Sequence, residues 1–411
     1  MNVFLIAILA ILVGHYLLHV IEETLNIRHM SPVLPPEFEG VYDAERYRLA
    51  QSYLRDTTRF DLVTATVFTP LTAGFILVGG FNVVDQWARG FGQGSIVTGL
   101  IFAASMGLVS FLIHIPCSAY RTFVIEERYG FNRTTVRTFL LDLLKAVILG
   151  ALIGGAVLAA VLWFFAWAGR LAWFYCWGAV SVFELFLAFV APVVIMPLFN
   201  KFTPLEEGDL RRSIEEYARA QQFRMKGVFK MDGSRRSTKT NAFFTGFGKY
   251  RRIVLFDTLI AKHTVDELTA VLAHEMGHSK LKHVLKHVVL ALLTNGIMFY
   301  LLSLLVASRG LSHAFGMSDY ALYSNLVFFL FLYTPLATAL GVIMNAISRR
   351  HEYAADAYAA VTSGKPDAMI DALKKLSRDN LSNLSPHPLK VFLSYTHPPI
   401  LDRVRALRTT V

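Results

Sequence analysis

Apolar residues in this chain gather into seven runs separated by polar stretches, covering by number 4–20, 62–84, 96–120, 147–167, 171–199, 288–308 and 323–347. A helix needs about 20 apolar residues to cross the hydrocarbon of a bilayer, so each run predicts a membrane-spanning helix. The fourth and fifth are parted by little more than Gly169 and Arg170, which predicts an antiparallel hairpin. The first run has no basic segment before it and no small-x-small cleavage site, and reads as a retained span rather than a signal peptide. An amphipathic helix is expected over 45–57, ahead of the second span. Between 201 and 287 the pattern changes. Leu210, Ile214, Tyr217 and Ala218 share one helical face, and 227–231 and 252–256 read as strands. Residues 241–247 read either as an edge strand open to an extended peptide or as a strand paired within a small sheet. Membrane and polar segments alternate along the chain, so one integrated unit is expected.

Composition sharpens this picture. Hydrophobic residues make up 54% of the chain and charged ones 17%, against about a quarter charged in soluble domains. Of the 40 lysines and arginines, 37 fall in alternate connections. The positive-inside bias then predicts the N-terminus outside, with the C-terminus and residues 201–287 in the cytoplasm. The net charge of +10 is therefore a topological signal, and nucleic acid is excluded as a partner because no basic stripe with interleaved aromatics marks a recognition module. Cys117 and Cys176 both lie in predicted spans, which excludes a disulfide framework and a cysteine-built zinc site. A metal in this protein would be held by histidine and carboxylate.

The candidate chemistry centres on 271–283, VLAHEMGHSKLKH. His274 and His278 stand at i and i+4, on one face of a helix, and can direct two imidazoles at one cation. Glu275 is turned one position aside, towards the attacking water rather than the metal. Thr264 and Glu267 form a T-x-x-E capping box that starts the helix. A catalytic zinc needs a third protein ligand. It is expected from Glu352, in the segment RRHEYAADAY, with Asp356 one turn later able to accept from the far nitrogen of a ligating histidine. His351 is the rival ligand. His283 and His287 form a second i, i+4 pair without a following glutamate, and read as a polar patch where the helix enters the membrane. His15, His19, His114, Glu22, Glu23 and Glu184 predict a polar, water-filled interior, because ionisable groups facing lipid are costly; snorkelling would account for Glu22 and Glu23 without one. His397, held extended by Pro398 and Pro399, reads as an oxyanion donor or as a surface turn.

Taken in order around seven spans, PLFNKFTPL, DGSRRS, NAFFTGF, RRIVLFDTL, HEMGH, EYAAD and THPP resemble the type I CAAX prenyl proteases, integral-membrane zinc metallopeptidases of the gluzincin kind. The resemblance runs from Pro35 in the first connection to His397. It implies a mainly α, polytopic membrane protein, with seven transmembrane helices around a water-filled chamber and a small α+β zinc-protease domain on the cytoplasmic side. It implies one zinc per chain on His274, His278 and Glu352, Glu275 as general base, and Asp356 behind the ligands. Asn241 and His397 match positions that hold substrate backbone and stabilise the oxyanion.

The implied substrate is a peptide or protein whose C-terminal tripeptide is removed after prenylation, met within membrane lipid. The expected divisions are 1–200 for spans one to five, 201–287 for the zinc-protease segment, 288–347 for spans six and seven, and 348–411 for the segment carrying the third ligand. Residues 408–411 carry no retrieval signal, so a bacterial inner membrane is expected rather than the endoplasmic reticulum. A quality-control membrane protease without prenyl requirement would use the same site, and a scaffold or transporter holding zinc for structure is the non-enzymatic alternative. The sequence carries no signal of oligomeric state.

Overall fold

The computed structural model describes residues 2–246 and 251–410; Phe247, which ends the expected strand segment, and Val411 lie outside them. Among the described residues seven helices are long and apolar enough to cross a membrane: Val3–Arg28, Ala44–Leu77, Ser95–Glu126, Val136–Trp167, Gly169–Phe199, His283–Leu305 and Leu322–Ser363. The fourth and fifth form the expected hairpin, turning at Gly169, whose φ of +54° suits a residue without Cβ.

Two spans extend furthest beyond their apolar runs. The second absorbs the amphipathic segment 45–57, because Asp43 caps it and nothing breaks the helix before Gly79. At Gly79 φ reaches +72° and a separate helix, Gly80–Arg89, begins, so the span ends at Leu77 instead of 84. The seventh is one helix of 42 residues, ended by Gly364 in the left-handed region. At 1.5 Å per residue it is about 63 Å long, roughly twice the hydrocarbon thickness. Its final turns therefore project beyond the bilayer as a rigid extension of a membrane helix.

No more than 17% of the most apolar 18-residue window of any span is buried.

The polar segment builds a four-stranded sheet from β1 (Phe202–Pro204), β2 (Gly227–Met231), β3 (Ala242–Thr245) and β4 (Arg252–Phe256), in the order β1-β2-β4-β3. β2 and β4 are parallel, with Val228 opposite Ile253; β3 runs antiparallel to β4, with Phe243 opposite Val254. β3 thus pairs within the sheet, as the second reading of 241–247 has it, and stands at the sheet's edge. The helix Asp209–Ala220 and the motif helix Val265–Lys280 cover the sheet. Leu268, Leu272 and Met276, spaced four apart, meet Ile253, Leu255 and Ile214 in one core. The opposite face of the motif helix presents Ala270 and Ala273 to Ala359, Leu373 and Val404. Burial on both faces explains why this helix is not amphipathic.

Membrane and polar parts interlock through buried or half-buried charges. Arg236, in DGSRRS, pairs with both oxygens of Asp142 on the fourth span at 2.8 and 3.0 Å and donates to Asn200 Oδ1 at 3.0 Å. Lys239 reaches Glu126 at the end of the third span at 2.9 Å, and Tyr53 of the second donates to the same carboxylate at 2.6 Å. Glu22 and Glu23 do not snorkel. Both pair with Lys390, and Ser394 donates to Glu22, which ties the first span to the C-terminal segment.

The motif helix meets the projecting end of the seventh span at Gly277. A Cβ there would lie 3.1 Å from Tyr358 Cδ1, 3.2 Å from Ala355 Cα and 3.3 Å from its carbonyl oxygen. Overpacking of this kind costs about 1–3 kcal/mol, which offsets the roughly 1 kcal/mol an alanine gains in helix propensity over glycine. Gly277→Ala is thus expected to fold near wild type. Gly277→Val, with two more carbons and a poorer propensity, should lower the thermal midpoint in detergent and weaken metal uptake; equal behaviour of the two variants would show that the contact does not set the helix spacing.

Candidate metal and catalytic site

The capping box forms as its residues require: Thr264 Oγ1 accepts from Glu267 N at 3.3 Å, and Glu267 Oε2 accepts from Thr264 N at 3.0 Å. The other oxygen of Glu267 binds Lys375 at 2.6 Å. So anchored, the helix carries His274 and His278 on the face turned towards the seventh span. Because Gly277 lets that span approach, Glu352 meets them. His274 Nε2 and His278 Nε2 lie 3.1 Å apart, and they stand 3.4 and 3.3 Å from Glu352 Oε2 and Oε1. His274, His278 and Glu352 are the group of ligand-type side chains able to converge on one metal among the described residues.

The donor set fits zinc. Ligand bonds of about 2.0–2.1 Å at tetrahedral angles place ligand atoms about 3.3 Å apart. Glu352 Oε2 is buried and makes no hydrogen bond, although Arg403 and His274 lie 3.3 and 3.4 Å away. An ion at the focus of the three side chains would satisfy it. Burial opposes a charge on His274, yet Asp356 and Glu352 outweigh burial and hold its pKa up at about 9. The pocket therefore favours positive charge.

Asp356 sits where the spacing predicts, with Oδ1 2.8 Å from His274 Nδ1. It is itself held by Arg403, whose Nε and Nη2 reach its two oxygens at 2.7 Å each. Arg403 belongs to the terminal helix Ile400–Thr410 and is 5% exposed. Sequence reasoning missed it, and its signal is that Arg403, alone of the three arginines of this helix, stands four positions before Leu407 and beside Val404, on the apolar face.

A cavity of about 220 Å³ opens onto His274, Glu275, Glu352, Asn241, His397 and Arg403. Burial pushes the Glu275 carboxyl up from its ordinary pKa, in the direction that suits a base working near neutrality. His397 is exposed to this cavity, with Nε2 3.4 Å from Glu352 Oε1 and Nδ1 2.9 Å from Thr396 Oγ1. Asn241 is exposed at the start of β3, and Ala242 N donates to its side chain at 2.9 Å. The chain is pinned just before it by Asn380, which accepts from Thr240 N at 2.9 Å and donates to Thr240 O at 3.0 Å.

His351, the rival ligand, points elsewhere: its Nδ1 is 3.1 Å from His287 Nε2. His283 and His287 lie in the first turns of the sixth span. His283 is buried against His278 and His351. Of the other polar groups in the spans, His114 stacks on Phe68 at 4.6 Å, and Asn295 donates to both oxygens of Glu184.

Known proteins resemble this chain along nearly all of its length. Residues 23–201 match a family described as CAAX prenyl protease N-terminal, five membrane helices, and residues 204–411 match peptidase family M48. A CAAX prenyl protease 1 homolog of Oryza sativa is 34% identical over 97% of this chain and 96% of its own length. The CAAX prenyl protease 1 of Saccharomyces cerevisiae is 33% identical over 91% of this chain and 88% of its own. The crystal structure of Ste24p from S. mikatae superposes with a TM-score of 0.94 at 31% identity, covering 99% of both chains. The chain belongs to peptidase family M48, in its CAAX prenyl protease branch, and is a multi-pass membrane zinc metalloprotease.

Proposed function

We propose that this protein hydrolyses peptide bonds near the C-terminus of prenylated, CAAX-type substrates, with one zinc held by His274, His278 and Glu352. The observation that carries this reading is two imidazole nitrogens 3.1 Å apart, each 3.3–3.4 Å from an oxygen of the Glu352 carboxylate, opening with Glu275 onto a cavity bounded by an edge strand. A structural zinc fills all four positions with protein ligands; three donors beside a free carboxylate support catalysis over a scaffold role.

Zinc bound here would polarise the scissile carbonyl and bring the pKa of water down to about 7. Glu275 accepts the proton of the attacking water and later delivers it to the leaving amine. The substrate lies extended along β3, where backbone groups on the free edge and the Asn241 side chain hold its main chain. His397 donates to the oxygen on which charge develops, a position that electrostatic stabilisation requires to be filled before the reaction begins. Asp356 keeps the His274 proton on Nδ1, leaving Nε2 free for the metal, and Arg403 holds Asp356 in place. The prenyl chain would occupy the open interior of the spans, which we read as a water-filled chamber. The cation asymmetry of the loops supports a cytoplasmic site, with the N-terminus outside.

Three outcomes are expected. Purified protein should cut a farnesylated CAAX peptide at least tenfold faster than its unprenylated twin or a misfolded membrane protein, with a chelator abolishing and zinc restoring activity; equal rates would remove the prenyl requirement while leaving the protease. Glu275→Gln should retain zinc and lose about 10²–10⁴-fold in kcat, and wild-type turnover would refute its role as base. Arg403→Met strands a buried carboxylate, for which about 3–5 kcal/mol is the usual cost. Its thermal midpoint should fall well below that of wild type, and an unchanged midpoint would show that the pair does not hold the site.

A further inference from the structure

We infer that His283 is a positioning residue for His278, an outer hydrogen-bond partner that fixes this imidazole as Asp356 fixes His274; the inference rests on His278 being a metal ligand. The backbone makes the contact possible. The motif helix ends at Lys280, and Lys282 takes the left-handed conformation at φ +58°. That break turns the chain so that His283, five residues on, folds back over His278 instead of continuing along the helix. Nδ1 of one ring lies 3.1 Å from Nδ1 of the other.

The direction of this bond follows from the other end of His278. Its Nε2 belongs to the donor cluster, so a neutral imidazole must carry its proton on Nδ1. His278 therefore donates and His283 Nδ1 accepts. Both zinc histidines then share one plan, with Nε2 inward and Nδ1–H outward, onto the Asp356 carboxylate in one case and the His283 ring in the other.

His283 is held rigidly enough for the task. It is 3% exposed, and its ring stacks on His351 at 3.9 Å with the planes 9° apart. His351 is in turn fixed by His287, at 3.1 Å and perpendicular. His351 adjoins Glu352 in sequence, so this clamp joins the start of the sixth span to the turn that carries the third ligand. It also gives His351 and His287 a use that excludes neither from the site nor makes them ligands.

The test uses the full-length protein in detergent and compares His283→Asn with His283→Leu. The two side chains have nearly the same shape, and only Asn retains an acceptor close to the former Nδ1. Zinc affinity is read by competition with a chelator, and site geometry by the absorption bands of the cobalt(II)-substituted protein. His283→Leu should bind zinc about 10–100-fold more weakly than wild type and shift the cobalt bands, whereas His283→Asn should recover most of both. His283→Phe, which keeps the stacking ring, should match Leu and replaces it should Leu fail to fold. Wild-type affinity and bands in the Leu or Phe variant, or equal loss in Asn and Leu, would overturn the inference. His278→Ala separates the two levels. If it keeps wild-type zinc affinity, the ligand assignment falls and this inference with it; if it loses zinc while His283→Leu does not, only the role of His283 falls.

Discussion

The site depends on how closely two helices approach. The motif helix brings two imidazoles from the polar segment, and the seventh span brings two carboxylates from the membrane. They can meet only where neither helix carries bulk. Ala270, Ala273 and Gly277 on one side face Ala355 and Ala359 on the other, and small residues allow backbones to pack near contact distance. At that spacing Glu352 reaches both Nε2 atoms. Because the seventh span is one unbroken helix from Leu322 to Ser363, the position of Glu352 is set by the membrane part of the fold. The span thus acts as a strut between the membrane part and the two imidazoles.

Burying this much charge is costly, and the arrangement shows how the cost is met. Glu352, Asp356, His274 and Arg403 are all buried. An unpaired ion in such surroundings would lose several kcal/mol of hydration. Each charge here has a partner of opposite sign or a ring proton to accept. Arg403 has its positive charge sustained by Asp356 against the penalty of burial. The terminal helix is therefore part of this cluster, because it delivers the guanidinium that lets two carboxylates lie side by side.

Much of this was readable from residue order. The seven spans, the helix carrying His274 and His278, and strands β2 and β4 follow from local periodicity, which does not need the rest of the molecule. Glu352 and Asp356 were readable because they repeat at i and i+4 beside a known need for a third ligand. Arg403 and His283 were not. Arg403 matters only after the last helix swings back across the seventh span, and the contact of His283 depends on one left-handed residue, Lys282, that no side-chain pattern announces. The extension of the second span was missed for a related reason: a polar segment and an apolar run read as two elements, while the backbone continues as one helix until Gly79 breaks it. Local pattern located the two imidazoles and the two carboxylates, and tertiary contacts supplied what holds them.

The central claim is that two imidazoles and one carboxylate, drawn from two helices, share a single cation. X-ray absorption at the zinc edge of the purified full-length protein tests it most directly, alongside metal content of Glu352→Ala. The account predicts one zinc per chain with nitrogen and oxygen neighbours at about 2.0–2.2 Å and no sulfur, and loss of that zinc in the variant. A sulfur shell, or stoichiometric zinc in Glu352→Ala with unchanged coordination, would contradict it.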